Sequence, residues 1–317
     1  MGVNEKGTLL IDIPEGVEKP TKDTEFTITI KYKLKNPTGG FQFIHKKSER
    51  ENSQEWGYAY TSNQIDAVRY WLPCLENQPC TWTLEYRINK KFKVISSGEL
   101  ITTENIDSNT HKYYYELKIP TKARNLGVII GDFEEYIDPK NQNITNYYLP
   151  NEEIDSSKST VSFLYKVLEY YEDYLKTTYP YGSYKQIFID HLEIPKLHIF
   201  AGLAIFSRNL LYNHYTANKA YKSRWYLSLA LANQFIGNYL TIKSSSDIWL
   251  LEFGLPAYLT SLFCRTLFGV NEHQYRFYKV SPISFAQILF LLISFFSQFS
   301  RKRIFVKVGN WTRESQH

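Results

Sequence analysis

Short runs in which apolar and polar residues alternate dominate the chain from Gly7 to about residue 150. A period of two places successive side chains on opposite faces of a strand, so these runs predict strands with one buried face. The predicted strands cover residues 26–32, 81–86, 93–96, 113–119 and 126–130. Together they predict a β-sandwich or saddle-shaped domain of antiparallel strands over residues 1–150.

The period changes near residue 151. Apolar residues recur at helical spacing through residues 159–177, which predicts a helix with one buried face. A strand is predicted at 186–190, followed by helices around 225–238 and over 248–267. This order predicts a second domain over residues 151–279 that begins as α/β and becomes helical. The predicted fold class is therefore α+β with more than one domain.

A third pattern begins at residue 280. Residues 281–299 are uncharged and mostly apolar, and Arg301, Lys302 and Arg303 follow them. A run of that length can just span a bilayer, with the basic residues on the cytoplasmic side. We interpret residues 280–317 as a divergent tail that arises from a wrongly placed exon end or a truncation, and we expect no membrane contact. A membrane-anchored protein is the alternative.

Composition and charge narrow the class of protein only slightly. At 317 residues the chain can hold two domains, each with its own core. The net charge of +5 permits contact with nucleic acid without arguing for it. The densest basic cluster outside the tail consists of Arg87, Lys90, Lys91 and Lys93. We interpret this cluster first as a solvated hairpin tip and second as a contact with nucleic-acid phosphates.

The most informative motif lies within the predicted helix at 225–238. Residues 229–238 read L-A-L-A-N-Q-F-I-G-N, and this resembles the H-E-L-A-H-Q-W-F-G-N helix of the aminopeptidase N-like zinc metallopeptidases. In that family the two histidines bind zinc from one helix face and the glutamate is the general base. Here the Q-x-x-G-N end is present, whereas Leu229, Ala230 and Asn233 occupy the two ligand positions and the base position.

The third zinc ligand of that family is a glutamate 19 residues after the second histidine, and Glu252 has that position here. It lies in W-L-L-E-F-G at 249–254, which is similar to the family's W-L-N-E-G-F. Leucine offers no lone pair, and a neutral amide is a poor zinc ligand beside imidazole. The resemblance thus implies a thermolysin-like domain without metal, cofactor or catalysis. In it Leu229, Ala230, Asn233 and Glu252 are vestigial positions.

A second difference from the active enzymes concerns substrate binding. Where the family has G-A-M-E-N, whose glutamate holds the free amino terminus of the substrate, residues 196–200 read K-L-H-I-F. Ile199 takes the place of the acid, and the nearest carboxylate, Glu193, lies upstream. The resemblance therefore implies no small-molecule or peptide substrate.

Other stretches resemble a branch of the family that has lost catalysis and supplies a subunit of the general transcription factor TFIID. These stretches are R-Y-W-L-P-C at 69–74, C-T-W-T-L-E-Y at 80–86 and S-S-G-E-L at 96–100. The likeness covers residues 1–279 and implies a fragment of a longer protein, truncated at its start. It implies a nuclear, non-enzymatic scaffold. The implied partners are other TFIID subunits, including the largest TBP-associated factor, and core-promoter DNA.

Two further alternatives stay open at this point. A divergent zinc aminopeptidase could bind its metal through His191, His198 and Glu252 instead. A catalytically inactive pocket could also bind peptides without cleaving them, with Glu252 as a contact.

Overall fold

A computed structural model describes residues 56–279 except 65, 151–153, 191, 193–196, 213–215 and 241–248. Ahead of residue 56 it describes residues 2–3, 9–10, 16, 27–35, 37 and 39–46. The chain divides into two compact units, residues 1–263 and residues 264–317. Every strand given below and all of the candidate site belong to the first unit.

The strands, in chain order, are β1 (Gly2–Val3), β2 (Leu9–Leu10), β3 (Phe41–Lys46), β4 (Trp56–Thr61), β5 (Cys80–Asn89), β6 (Lys93–Ser96), β7 (Glu99–Asn105), β8 (Thr110–Thr121), β9 (Val128–Gly131), β10 (Glu134–Ile137), β11 (Ile144–Tyr148), β12 (Tyr184–Ile189), β13 (Leu197–Phe200) and β14 (Leu203–Ser207). The helices are α1 (Ile154–Val161), α2 (Leu164–Leu175), α3 (Ala217–Phe235) and α4 (Leu255–Phe268). A π-helical turn, Trp249–Gly254, precedes α4, and residues 270–279 are also helical.

Besides the two-stranded pair of β1 and β2, the described residues of the first unit form three larger sheets. Strands β3, β4, β9 and β6 form an antiparallel sheet in that order, and β5, β8 and β7 form a second antiparallel sheet. The third sheet has the order β10, β11, β12, β14, β13 and is mixed, because β11, β12 and β14 run parallel. The mixture of sheets and helices confirms the predicted α+β class.

The four-stranded sheet packs on both of its faces. Val94 and Val128 on one face join Tyr113 and Tyr115 of β8 in one hydrophobic cluster. Ile95 and Ile129 on the other face join Ile187 and Ile205 of the mixed sheet in another. Consecutive residues such as Val94 and Ile95 therefore serve opposite faces, as the period of a strand requires. The four-stranded sheet is therefore a middle layer between the sheet that contains β8 and the mixed sheet.

Most elements lie where the alternation predicted them. The strand predicted at 93–96 matches β6, and those predicted at 81–86 and 113–119 lie within β5 and β8. The helix predicted at 159–177 is interrupted, since α1 ends at Val161 and α2 begins at Leu164. At the interruption the Ser162 hydroxyl donates to the Ser159 carbonyl, a local bond that competes with helix propagation.

The prediction of a strand at 26–32 is wrong for residues 27–32, the part of this range that the structure describes. Residues 27–35 form no β pairing, and the apolar members of the alternation are 39–52% exposed: Ile28, Ile30, Tyr32 and Leu34. The Tyr32 hydroxyl donates to the Trp71 carbonyl at 3.0 Å. Alternation of apolar and polar residues indicates a preference for the strand conformation, but a strand in a sheet also needs a partner strand from elsewhere in the chain.

The domain division predicted at residue 150 stays a prediction. Strands β10 and β11 precede that position, yet β11 pairs in parallel with β12, which follows it. The predicted tail at 280–317 lies outside the described residues. Among the residues that are described, no helix is both long and apolar enough to cross a membrane.

Candidate functional site

The side chain of Gln234 fixes the end of α3 against the β13–β14 hairpin. Its Oε1 accepts from the Gly202 backbone N–H at 2.8 Å, and its Nε2 donates to the Phe200 carbonyl at 3.1 Å. Gln234 and Phe200 are both fully buried. Gly202 lies in the hairpin turn with φ +69°, a region that favours glycine. The Q-x-x-G-N end of the motif therefore has a structural role that needs no metal.

The chain leaves α3 through a sharp turn at Gly237, whose φ is +116°. The backbone N–H groups of Asn238, Tyr239 and Leu240 donate to the carbonyls of residues 233, 234 and 235, five positions earlier in each case. These bonds satisfy the last carbonyls of the helix, as helix ends require. A Cβ added to Gly237 would lie 3.2 Å from Asn233 Oδ1 and 3.8 Å from the Leu251 carbonyl. The turn before α4 thus lies close to this end of α3.

The three vestigial positions on α3 carry two aliphatic side chains and one amide. Ala230 is fully buried, whereas Leu229 and Asn233 are partly exposed. The Asn233 Nδ2 donates to the Leu229 carbonyl at 2.9 Å, one turn back in the same helix. Residues four apart share a helix face, so Leu229 and Asn233 present an alkyl group and an amide side by side.

The carboxylate of Glu252, on the π-helical turn, forms an ion pair with Arg124. Arg124 Nη2 donates to Glu252 Oε2 at 2.7 Å, and the two side chains are 28% and 17% exposed. Arg124 lies on a 3₁₀ turn, Ala123–Asn125, between β8 and β9. No local sequence pattern marks Arg124 as the partner of Glu252, because 128 residues separate the two.

Lys122 adds a second cation to this cluster. It is 9% exposed, and its pKa is lowered, first by burial and then by the positive charge of Arg124, while Glu252 acts in the opposite direction. The cluster of Lys122, Arg124 and Glu252 therefore combines two basic side chains with one acid.

The alternative ligand His198 lies in the core of the first unit. It is 3% exposed, and its Nδ1 is 2.7 Å from Asn63 Oδ1. Burial lowers the pKa of the imidazole to about 4. His191 and Glu193 lie outside the described residues. Across the part of the chain that the structure describes, no three His, Cys, Asp or Glu side chains are grouped so that they could hold a metal ion.

The basic cluster lies around the turn between β5 and β6. The predicted hairpin tip is wrong, because β5 pairs with β8 and β6 pairs with β9 in a different sheet. Arg87 on β5 forms an ion pair with Glu85 at 2.9 Å, and the Lys93 Nζ donates to the Phe133 carbonyl at 2.9 Å. Lys90 and Lys91 lie in the turn, where their backbone N–H groups bond to the Asn109 carbonyl and the Asn89 side chain. Both lysines are exposed. A contact with nucleic acid through these residues stays a prediction.

A family model described as the peptidase family M1 domain matches residues 160–287. Transcription initiation factor TFIID subunit 2 of Drosophila melanogaster is 34% identical over 276 residues, which cover 84% of this chain and 22% of that protein. The Gallus gallus protein of the same name is 32% identical, over 85% of this chain and 23% of its own length. Glutamyl aminopeptidase of Bos taurus is 20% identical over 77% of this chain. The chain thus spans less than a quarter of the length of the first two relatives.

Proposed function

This chain is a relative of the TFIID subunit 2 proteins that carries a peptidase family M1 domain, and we propose that it is a non-enzymatic scaffold subunit of TFIID. In this role it works in the nucleus, contributing to complex assembly and to recognition of core-promoter DNA for initiation by RNA polymerase II. Its partners are other TFIID subunits, including the largest TBP-associated factor. Its arrangement is a β-sandwich-like first domain followed by a thermolysin-like domain.

The observation that carries this proposal is the state of the peptidase helix. Gln234 and Gly237 maintain the contacts and the turn at the end of α3, while Leu229 and Asn233 present no imidazole. Ala230 leaves no general base to activate a water molecule. The scaffold of a peptidase therefore remains without the groups that its chemistry requires.

A peptide-binding pocket is less favoured than a scaffold. A carboxylate that captures the ammonium group of a peptide must be available to it, whereas Glu252 already pairs with Arg124 at 2.7 Å. A new ligand would first have to replace the guanidinium, which binds carboxylates strongly.

Assembly with TFIID is tested by purifying the tagged 317-residue chain from nuclear extract and measuring the zinc content of the same sample. We expect TFIID subunits at stoichiometric amounts and no zinc. The control is the same purification from nuclear extract without the tagged chain, which should recover neither TFIID subunits nor zinc. Stoichiometric zinc with cleavage of aminoacyl substrates would reverse the assignment to a scaffold.

The DNA contact is tested with the double variant Lys90→Glu/Lys91→Glu. Each phosphate contact contributes about one unit to the slope of log K against log salt, so the variant should lower the slope for promoter DNA by about 2. Lys176→Glu is the matched control, since Lys176 is an exposed lysine at the end of α2 that already pairs with Asp173. An unchanged slope would show that the basic cluster is a solvated turn without a DNA contact.

A further inference from the structure

We propose that the guanidinium of Arg124 replaces the positive charge of a metal ion beside Glu252, and that this ion pair joins the β-rich part of the first unit to its helical part. The inference goes beyond the scaffold role, because it concerns how the first unit holds together without a metal. It uses contacts within the first unit alone.

The donor set around this position does not fit zinc. A catalytic zinc site requires three protein ligands that offer lone pairs. Leu229 offers none, the Asn233 amide donates to the Leu229 carbonyl, and Glu252 pairs with Arg124. The carboxylate is the one strong donor that remains among the three positions, and a cation from the protein already occupies it.

The location of the ion pair supports the replacement. Gly237 at the end of α3 lies close both to the Asn233 side chain and to the Leu251 carbonyl. Leu251 is the residue before Glu252, so the π-helical turn that carries Glu252 passes beside this end of α3. Arg124 reaches this place from the 3₁₀ turn that links β8 to β9. The guanidinium therefore comes from the β-rich part of the chain, and the carboxylate comes from the helical part.

The charges explain why such a partner is needed. A carboxylate that is only 17% exposed loses much of its hydration, which is costly unless a cation and hydrogen bonds compensate. In a zinc enzyme the metal supplies that compensation. Arginine can supply it permanently, because its guanidinium stays protonated and presents several donors to a carboxylate.

The test rebuilds two histidine ligands and asks whether Arg124 competes with zinc for Glu252. The full chain is prepared as Leu229→His/Asn233→His with Arg124 intact and with Arg124→Gln, and zinc affinity is measured by chelator competition. We expect at least tenfold tighter zinc binding with Arg124→Gln, in the range that partners of metal ligands contribute. Arg87→Gln in the same histidine background is the control, because Arg87 forms an exposed ion pair with Glu85 on β5.

Thermal unfolding of single variants gives a second readout. Arg124→Gln in the otherwise native chain should lower Tm by about 5 °C, and adding Glu252→Gln should recover part of the loss by removing the unpaired carboxylate. Equal zinc affinity with and without Arg124, including no binding in either case, overturns the proposal, as does an unchanged Tm. Neither measurement involves TFIID partners, so failure here is distinct from failure of the scaffold role.

Discussion

Replacing Gln234 by leucine is expected to lower the free energy of unfolding by about 3 kcal/mol. The variant loses the hydrogen bonds to Gly202 N–H and the Phe200 carbonyl, and it leaves that N–H buried. An orphaned buried donor costs roughly 1–3 kcal/mol, in addition to the lost bonds. Leucine has a similar volume, so the loss reports the polar contacts rather than a cavity. Urea denaturation followed by tryptophan fluorescence measures the difference.

The neighbouring residue provides a matched control. Asn233→Leu makes the same kind of change one position earlier, but Asn233 is partly exposed, and the bond that its side chain makes within the described residues is to the Leu229 carbonyl of its own helix. We expect a loss of less than about 1 kcal/mol for this variant. Equal effects of the two substitutions would show that Gln234 does not anchor α3 to the β13–β14 hairpin.

Acidification is expected to cost this protein about 3 kcal/mol of folding free energy through His198 alone. Burial lowers the pKa of the folded imidazole to about 4, against an ordinary value near 6.5 in the unfolded chain. The unfolded state therefore binds more protons between those values, and stability rises with pH across that window. The contribution is fully present above about pH 6.5 and is lost as the pH falls through about 4.

The measurement is urea denaturation of the native chain and of His198→Gln at pH 7.5 and at pH 4.5. Glutamine cannot titrate, so the variant should lose distinctly less stability on acidification than the native chain. Ile199→Val is the control, since it changes the next residue of β13 and should lower stability equally at both pH values. Parallel losses in the native chain and His198→Gln would contradict a buried neutral imidazole.

The sequence predicted elements best where a segment carries its own periodicity. Strand β6 matches the prediction, and the central parts of β5 and β8 match because their side chains alternate between a more buried and a more exposed environment along the strand. Residues 27–35 have the same alternation and yet form no strand pairing. The difference is the partner strand, which no local window contains.

In the candidate site, too, the sequence located individual residues but not the distant residues that they contact. Resemblance to the peptidase helix located Leu229, Ala230, Asn233 and Glu252 by residue type and spacing alone. It could not indicate that Glu252 meets Arg124, which lies 128 residues earlier in the chain. Nor could it indicate that His198 is buried and bonded to Asn63, so that an alternative ligand is a core residue.

The sequence by itself determined the α+β class, the approximate positions of the helices and of strands β5, β6, β8, β9 and β12, and the resemblance to a peptidase fold. These follow from periodicity and from side-chain identity at fixed spacing, which are local properties. The tertiary structure alone decided which cation neutralises Glu252, which hairpin Gln234 holds, and how the four-stranded sheet packs on both faces. Those features depend on residues far apart in the chain that meet only when burial brings their elements together.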